Sequence, residues 1–216
     1  MKLFDKFNKK ETNKINAQGW DAITKECERN YPNQTNPKHY GTLINWKLGG
    51  NDPLEGISIY DGGDYWHFVT YGLSELYEKE FNNQDISGYG MEFTMKLKKD
   101  NYEDEEAEIK CICGILQAIA RITFTKGELF KAYEYLYTGQ TTGIDTKMQS
   151  NITGFITIPD NNFNSINTPN GTVDFVEFIG VTNEELLAIM NKKLDVKTLY
   201  EELDSDITSY NRKSLI

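Results

Sequence analysis

The run GYGMEFTMKLKK, residues 88–99, constrains this chain more than any other stretch. Successive side chains of an extended strand point to opposite sides. Tyr89, Met91, Phe93, Met95 and Leu97 therefore line one side, and Glu92, Thr94, Lys96 and Lys98 the other. A period of two sustained over this length predicts a strand, because a helix would scatter the same apolar residues around its axis. Such a strand belongs to a sheet that must be covered on its apolar side by other elements. The upstream run YWHFVTYG, residues 65–72, is aromatic on both sides and predicts a strand covered on both faces.

The flanking stretches supply the cover. GWDAITKECERNY carries Trp20, Ile23, Cys27 and Tyr31 at three- and four-residue spacing, an apolar helical stripe closed by Pro32 and Pro37. YGTLINWKL and GISIYDGG have strand composition and end in glycine turns. An acidic run, Glu103 to Glu106, sits near the start of a long helix, where the helix dipole favours negative charge. Ile109, Ile112, Leu116, Ile119 and Thr123 mark one face of that helix, and Ile115 and Ile122 widen it. ELFKAYEYLY suits a helix or a strand. NITGFITIPD and GTVDFVEFIGV are expected as strands on either side of an Asn-rich loop. TNEELLAIMNKK opens with a capping-box pattern, Thr182 to Glu185, and DVKTLYEELDSD is a last helix capped by Asp195. Strands dominate the first half, helices and strands mix afterwards, and strict βαβ alternation is absent. The expected fold is α+β, a mixed, largely antiparallel β-sheet flanked by helices. A basic flexible arm is expected over residues 1–16, followed by one domain over residues 17–216.

Charge narrows the partners. Lys plus Arg number 23 and Asp plus Glu 33, so the 216 residues carry a formal charge of -10. Nucleic acid is not expected as a ligand, since binding it relies on cations facing phosphates. A basic protein suits such a surface, because complementary charge speeds encounter. No window approaches the ~18 consecutive apolar residues of a membrane span. MKLFDKFNKKETNKIN lacks the apolar core of a secretory signal. It could at most rest a short amphipathic foot, Leu3, Phe4 and Phe7, on a membrane surface. Cys27, Cys111 and Cys113 form an odd set, and with no export signal a cytoplasmic location is expected. Cys111 and Cys113 lie two positions apart on a helix, so they point about 200° apart and are expected as core residues, not metal ligands.

Familiar catalytic signatures are missing: no G-x-S-x-G, no phosphate-binding G-x-x-x-x-G-K, no H-E-x-x-H and no C-x-x-C. Asp61, Asp64 and His67 could form a metal corner, but His39 is the only other imidazole, so no metal and no cofactor is expected. Ser74 beside Glu75 lacks the second glycine of a nucleophile turn and is expected to cap a short helix. Glu92 lies on the polar side of its strand, and Glu177 shares a face with Val173, Phe175 and Ile179. An acid on an apolar face needs a partner or a raised pKa. Glu177 is expected in a buried salt bridge or at an exposed sheet edge.

Six stretches occur in an order that is familiar: GWDAITKECERNYPNQTNPKHY, LGGNDPLEGISIY, YWHFVTYGLSELY, SGYGMEFTMKL, TPNGTVDFVEFIGVTNEEL and ITSYNRKSL. Together they closely resemble the Suppressor of fused domain family over most of residues 17–216. The resemblance implies a non-enzymatic protein-binding domain, like the N-terminal domain of the animal proteins, which clamp an extended peptide of a transcription factor by strand addition. It implies a binding role for Tyr77, in LSELY, and for Asp85, ahead of SGYG, although the spacing at Asp85 differs by one residue. Ser74, Glu75, Tyr89 and Glu92 complete the expected partner-binding set. Trp66, His67, Gly72, Gly88 and Gly90 are expected to shape the scaffold. Stand-alone bacterial members are commonly immunity proteins of polymorphic toxin systems, so the resemblance implies that role, with a basic toxin domain as partner. The alternatives are a general peptide-binding or scaffold module that adds a strand to a free sheet edge, and an enzyme built from His67, Asp64, Glu92 and Ser74.

Overall fold

A computed structural model describes residues 16–216; of the basic arm, residues 1–15 lie outside the described residues. Nine strands and four helices are found among the described residues. The expected first helix is α1 (Gln18–Asn30), and on its stripe Ile23 and Cys27 are fully buried. The strands β1 (Lys38–Gly41), β2 (Gly56–Asp61), β3 (Tyr65–Tyr71) and β4 (Ile86–Lys98) follow, and then α2 (Glu105–Lys126). The second half contains β5 (Tyr135–Leu136), β6 (Ile152–Pro159), β7 (Ile166–Thr168) and β8 (Gly171–Thr182). The helices α3 (Asn183–Met190) and α4 (Val196–Leu203) and the short β9 (Ile207–Thr208) end the fold. The capping box joins Thr182 and Glu185 as the sequence predicts, and Asp195 caps α4.

One sheet runs in the order β1-β2-β3-β4-β8-β6-β5, with β7 paired to β8 and β9 to β4. Neighbours are antiparallel except around β4, which pairs in parallel with β8 and with β9. This is the mixed, largely antiparallel sheet the patterning predicts. Its first face carries Met91, Phe93, Met95 and Leu97 of β4 against Ile109, Ile112, Leu116 and Ile119 of α2. Its second face is divided. Tyr60, Val69 and Tyr71 pack against Ile23 and Cys27 of α1, while Ile156, Ile158, Ile179 and Val181 pack against α3 and α4.

Between those two apolar patches lies a buried polar strip. The register places His67 beside Lys96, and Val69, Thr94 and Glu177 in one row across β3, β4 and β8. His67, Thr94 and Glu177 have no exposed surface and Lys96 only 1%. The polar side of β4 is thus interior. Lys96 Nζ donates to Glu177 Oε2 at 3.0 Å and to Asp206 Oδ2 at 2.7 Å. Glu177 therefore sits in a buried salt bridge. Burial pushes its carboxyl well above the ordinary range, and the charge on Asp160 adds to this against the pull of Lys96. Burial opposes the Lys96 charge, but Glu177, Asp160 and Asp206 outweigh it and hold the ammonium above its ordinary range.

Asp160 anchors the other half of the strip. It accepts from Thr94 Oγ1 at 2.6 Å and from the Asn162 amide at 2.7 Å, and lies 3.0 Å from His67 Nε2. Against the cost of burial, the contacts with His67, Lys96 and Thr94 hold its carboxyl down at about 2. Burial keeps His67 below the ordinary imidazole value of 6.5, against the pull of Asp160. A neutral imidazole facing a carboxylate must carry its proton on Nε2. Nδ1 is then free to accept from the Tyr31 hydroxyl, 2.7 Å away.

Two expected strands differ. YGTLINWKL supplies only the last two residues of β1, Tyr40 and Gly41, followed by a 3-10 turn at Trp46–Leu48. The reason lies across the hairpin. Gly41 pairs with Gly56, and two residues before Gly56 the partner chain has left the ladder. There the Leu54 N–H donates to Gln117 Oε1 of α2 at 3.0 Å, and its C=O accepts from Gln117 Nε2 at 3.1 Å. ELFKAYEYLY contributes only the two residues of β5. Trp66 lies against the α2-side core, with Lys99 Nζ 3.8 Å from its ring centroid.

The polar strip yields two predictions. Replacing Lys96 with Met leaves Glu177 and Asp206 without their cation. The expected loss is about 3–5 kcal/mol in urea unfolding, the usual cost of breaking a buried pair. His67, with its folded pKa depressed, stabilises the fold above its unfolded value of 6.5 and loses that contribution as pH falls below it. The stability advantage of the native protein over His67→Gln should therefore shrink between about pH 7.5 and about pH 5. A constant difference across that range would mean that His67 takes up its proton in the folded state.

Candidate functional site

β3 ends at Tyr71, and Gly72 turns the chain at a φ of +133°, where an added Cβ would meet Glu55 N at 2.8 Å. Residues 73–81 then form an irregular segment held by two carboxylates. The first is Glu92 of β4, fully buried. Its Oε1 accepts from the amides of Gly72 and Ser74, both at 3.0 Å, and from Ser74 Oγ at 2.6 Å. Its Oε2 accepts from Thr70 Oγ1 at 2.7 Å. Burial raises the Glu92 carboxyl, and the Ser74, Thr70 and Gly72 donors pull against that rise. Ser74 caps no helix: residues 74–80 have no regular secondary structure, and its amide and hydroxyl are both spent on Glu92.

The second is Glu75, also buried. Its Oε1 accepts from the amides of Glu80 and Phe81, the latter at 2.7 Å. Its Oε2 accepts from Lys79 Nζ at 2.7 Å and from the Gly88 amide at 3.0 Å. Burial alone would raise this carboxyl, but Lys79 and the three amides win and hold it below the ordinary range. Gly88 has a φ of +57°, and a Cβ there would meet Leu73 O at 2.7 Å, so β4 can start this close to the segment only through glycine. Tyr89 N donates to Leu73 O at 2.9 Å and completes the tie.

These ties shape a cleft of 260 Å³ lined by residues 72–78 together with Asn45, Trp46, Lys47, Pro53, Glu55, Glu80, Phe81, Gly88, Tyr89 and Phe124. Four aromatic rings run through it in a chain. Phe81 meets Tyr89 at 5.5 Å, Tyr89 meets Phe124 at 5.1 Å, and Phe124 meets Trp46 at 5.9 Å, all edge to face. Tyr77 is 36% exposed and donates its hydroxyl to Glu55 Oε2 at 2.7 Å. Burial and the Glu55 contact push its phenol up to about 12, so it remains a donor at neutral pH. Lys47 and Glu80 form an exposed pair at 2.5 Å.

Of the expected partner-binding residues, Tyr77 and Tyr89 line this cleft and keep accessible surface. Ser74 and Glu75 also line it but are buried, and Glu92 is buried beneath the segment. The polar groups of all three are taken by the scaffold. Asp85 is exposed but is not among the lining residues. Its carbonyl accepts from the amide and hydroxyl of Thr172, both at 2.9 Å, which ties the entry of β4 to β8. His67 and Glu92 share no hydrogen-bond partner, and His67 meets Asp160 instead of Asp61 or Asp64. No group of three potential metal ligands is found among the described residues. Trp46, Phe81, Phe124, Glu55, Glu78 and Glu80 join the site without having been singled out. Phe81 had a legible signal, as the single aromatic within KEFNNQD.

The family model described as Suppressor of fused protein (SUFU) matches residues 50–213. The human and mouse Suppressor of fused homologs are each 32% identical to the chain over 181 residues, covering 78% of this chain and 36% of theirs. The chain therefore spans about a third of the length of these curated relatives. Among solved structures, the chain is similar to one from a Sufu–Fu complex, with a TM-score of 0.79, 27% identity and 92% of each chain covered. Drosophila Suppressor of Fused matches with a TM-score of 0.80 and 27% identity over 92% of this chain and 51% of that one. A homolog from Neisseria gonorrhoeae shares the fold, with a TM-score of 0.57 at 14% identity over 92% of this chain and 97% of that one. With the family match running over residues 50–213, most of the chain, the chain belongs to the Suppressor of fused family.

Proposed function

We propose that this chain is a protein-binding module without enzymatic activity, and that it grips a basic partner at the cleft beside Tyr77. The observation that carries this reading is the convergence of four aromatic rings with Glu55, Glu78 and Glu80 on a segment fastened by Glu92 and Glu75. Rigid aromatics at a recess make good anchors, because little side-chain freedom is lost when they are covered. The acids at the same recess suit Lys or Arg on the partner, and the overall charge of -10 favours the encounter. The residues that could suggest catalysis, His67, Ser74 and Glu92, are buried and have their polar groups committed within the scaffold. A Sufu–Fu complex among the similar structures is in keeping with a protein partner.

The cellular role we propose is that of an immunity protein in the bacterial cytoplasm, neutralising a basic toxin domain of a polymorphic toxin system. Its support is the acidic surface and the family membership. No helix among the described residues is long and apolar enough to cross a membrane. A second reading, a general scaffold that accepts a strand, is favoured by β1. That strand ends the sheet order, and no described strand pairs with its outer side.

The cleft reading is tested with the product of the adjacent gene as the probe. Its basic domain should be captured by the native protein. Tyr77→Ala should weaken capture by at least ~10-fold, about 1.4 kcal/mol or more, while the urea midpoint stays unchanged. Equal capture by both proteins would end the cleft reading. For the immunity role, co-expression should restore growth of cells producing that domain, and cells that stay poisoned despite complex formation would end it. Capture lost on altering β1 but not Tyr77 would favour strand addition.

A further inference from the structure

Tyr89 lines more than the cleft. It also lines a second recess, of 480 Å³, together with Ile86, Met91, Leu129, Phe130 and Val176. That volume falls in the range of ligand sites, about 300–1,000 Å³. Ile86 and Leu129 are 39% and 48% exposed, so the apolar lining reaches the surface. The rim also carries Lys131 and Asp174, both exposed and in no ion pair among the described residues. Asp174 Oδ1 accepts from Ser165 Oγ, which leaves Oδ2 for a further donor. Asp160, buried in the lining, is taken by His67, Thr94 and Asn162.

An irregularity of the sheet shapes this recess. β4 and β8 pair at Ile86–Thr172 and again at Met91–Asp174, so Ser87 to Gly90 of β4 stand against Val173 alone. Gly90 takes a φ of +75° within this bulge. A Cβ on Gly171 would lie 2.6 Å from Ile86 C, so the close start of the two strands depends on glycine. Bulges re-aim side chains beside functional surfaces. This one contains Tyr89, the residue common to both recesses. The lining at Leu129–Ala132 is fixed as well. It runs into Tyr133, whose φ of +64° is unfavourable for a bulky residue. Thr157 holds that turn: its carbonyl accepts from Tyr133 N at 2.7 Å, and its hydroxyl donates to Lys131 O at 2.5 Å.

We propose that the second recess receives the continuation of the partner segment bound at the cleft, a large apolar side chain flanked by an acid for Lys131 and a base for Asp174. This rests on the cleft being the binding surface. The occupant is the same partner because the two recesses meet at Tyr89. A segment seated on the cleft holds its next residues beside that ring at an effective concentration of the order of millimolar, so a weak second contact is enough. The unpaired rim charges set the composition of those residues. Lys131 repels a uniformly basic chain, so the second recess adds selectivity that the acids of the cleft lack.

The test is selection on the full chain of displayed random peptides of about twelve residues, each reaching about 40 Å when extended. Selected peptides should carry a large apolar residue with an acid and a base close by, besides basic residues for the cleft. Their affinity is then read by fluorescence polarisation. Leu129→Asp and Tyr77→Ala should each weaken it by about tenfold, with urea midpoints unchanged. Lys131→Glu should weaken the same peptides several-fold, and changing the peptide's acid to Lys should restore binding to that variant. Peptides that need Tyr77 but ignore both Leu129→Asp and Lys131→Glu remove this inference alone. Peptides that need Leu129 but ignore Tyr77→Ala remove the cleft reading, and the joined surface with it. A selection that enriches no peptide overturns both.

Discussion

The structure depends on where β4 sits. This strand lies between β3 and β8, and with β9 beside its end it has neighbours along both edges. Elements packed on each face of the sheet leave it no solvent-facing side. Its apolar side meets α2, and its polar side is enclosed by what α1, α3 and α4 leave between them. Glu92, Thr94 and Lys96 must therefore find partners inside the protein, since an unpaired buried charge costs several kcal/mol, on the order of what holds a whole domain folded. Each of the three does. Glu92 gathers donors from the end of β3, Thr94 donates to Asp160, and Lys96 lies between Glu177 and Asp206.

The consequences differ along the strand. Toward its C-terminal end, the Lys96 and Asp160 contacts join β3, β4 and β8 to residues 160–163 and to the approach to β9. That end is structural cement, and the Tyr31–His67–Asp160 chain within it is sealed from solvent. Toward its N-terminal end, Glu92 takes hold of a segment that has no regular secondary structure. Amides that a helix or ladder would otherwise satisfy are satisfied by carboxylate oxygens. Glu75 repeats the device a few residues on. The outcome is a surface segment that holds its shape without a ladder of its own, a property a recognition surface needs if binding is not to cost its ordering.

The acids that fasten the segment face inward, Glu80 is paired with Lys47, and Glu78 lies exposed at the recess. The same Leu76 and Tyr77 carbonyls that border the recess also receive the start of α1, directly or through Asn170. The cleft lining and the start of α1 share their backbone.

Much of this was legible along the chain. The alternation of residues 88–99, the stripe on α1, the buried face of α2, the capping box at Thr182 and the α+β class all follow from patterns whose period is local, and local periods survive folding. So did the family resemblance, carried by long aromatic and glycine-bearing stretches. What the sequence could not say was which polar side chains lie inside. Glu92 and Lys96 look solvent-facing in an alternating run, and only the elements packed over that face of the sheet bury them. Ser74 looks like a helix cap, and only the approach of Glu92 across the sheet claims its donors. The cleft was beyond reach for the same reason. Trp46, Phe81, Tyr89 and Phe124 are far apart in sequence, and their meeting is set by the packing of α2 and the turn at Trp46–Leu48 against the entry of β4. Sequence by itself determined the elements and the family; tertiary structure decided what is buried and what converges, because burial is a property of a residue's neighbours in space.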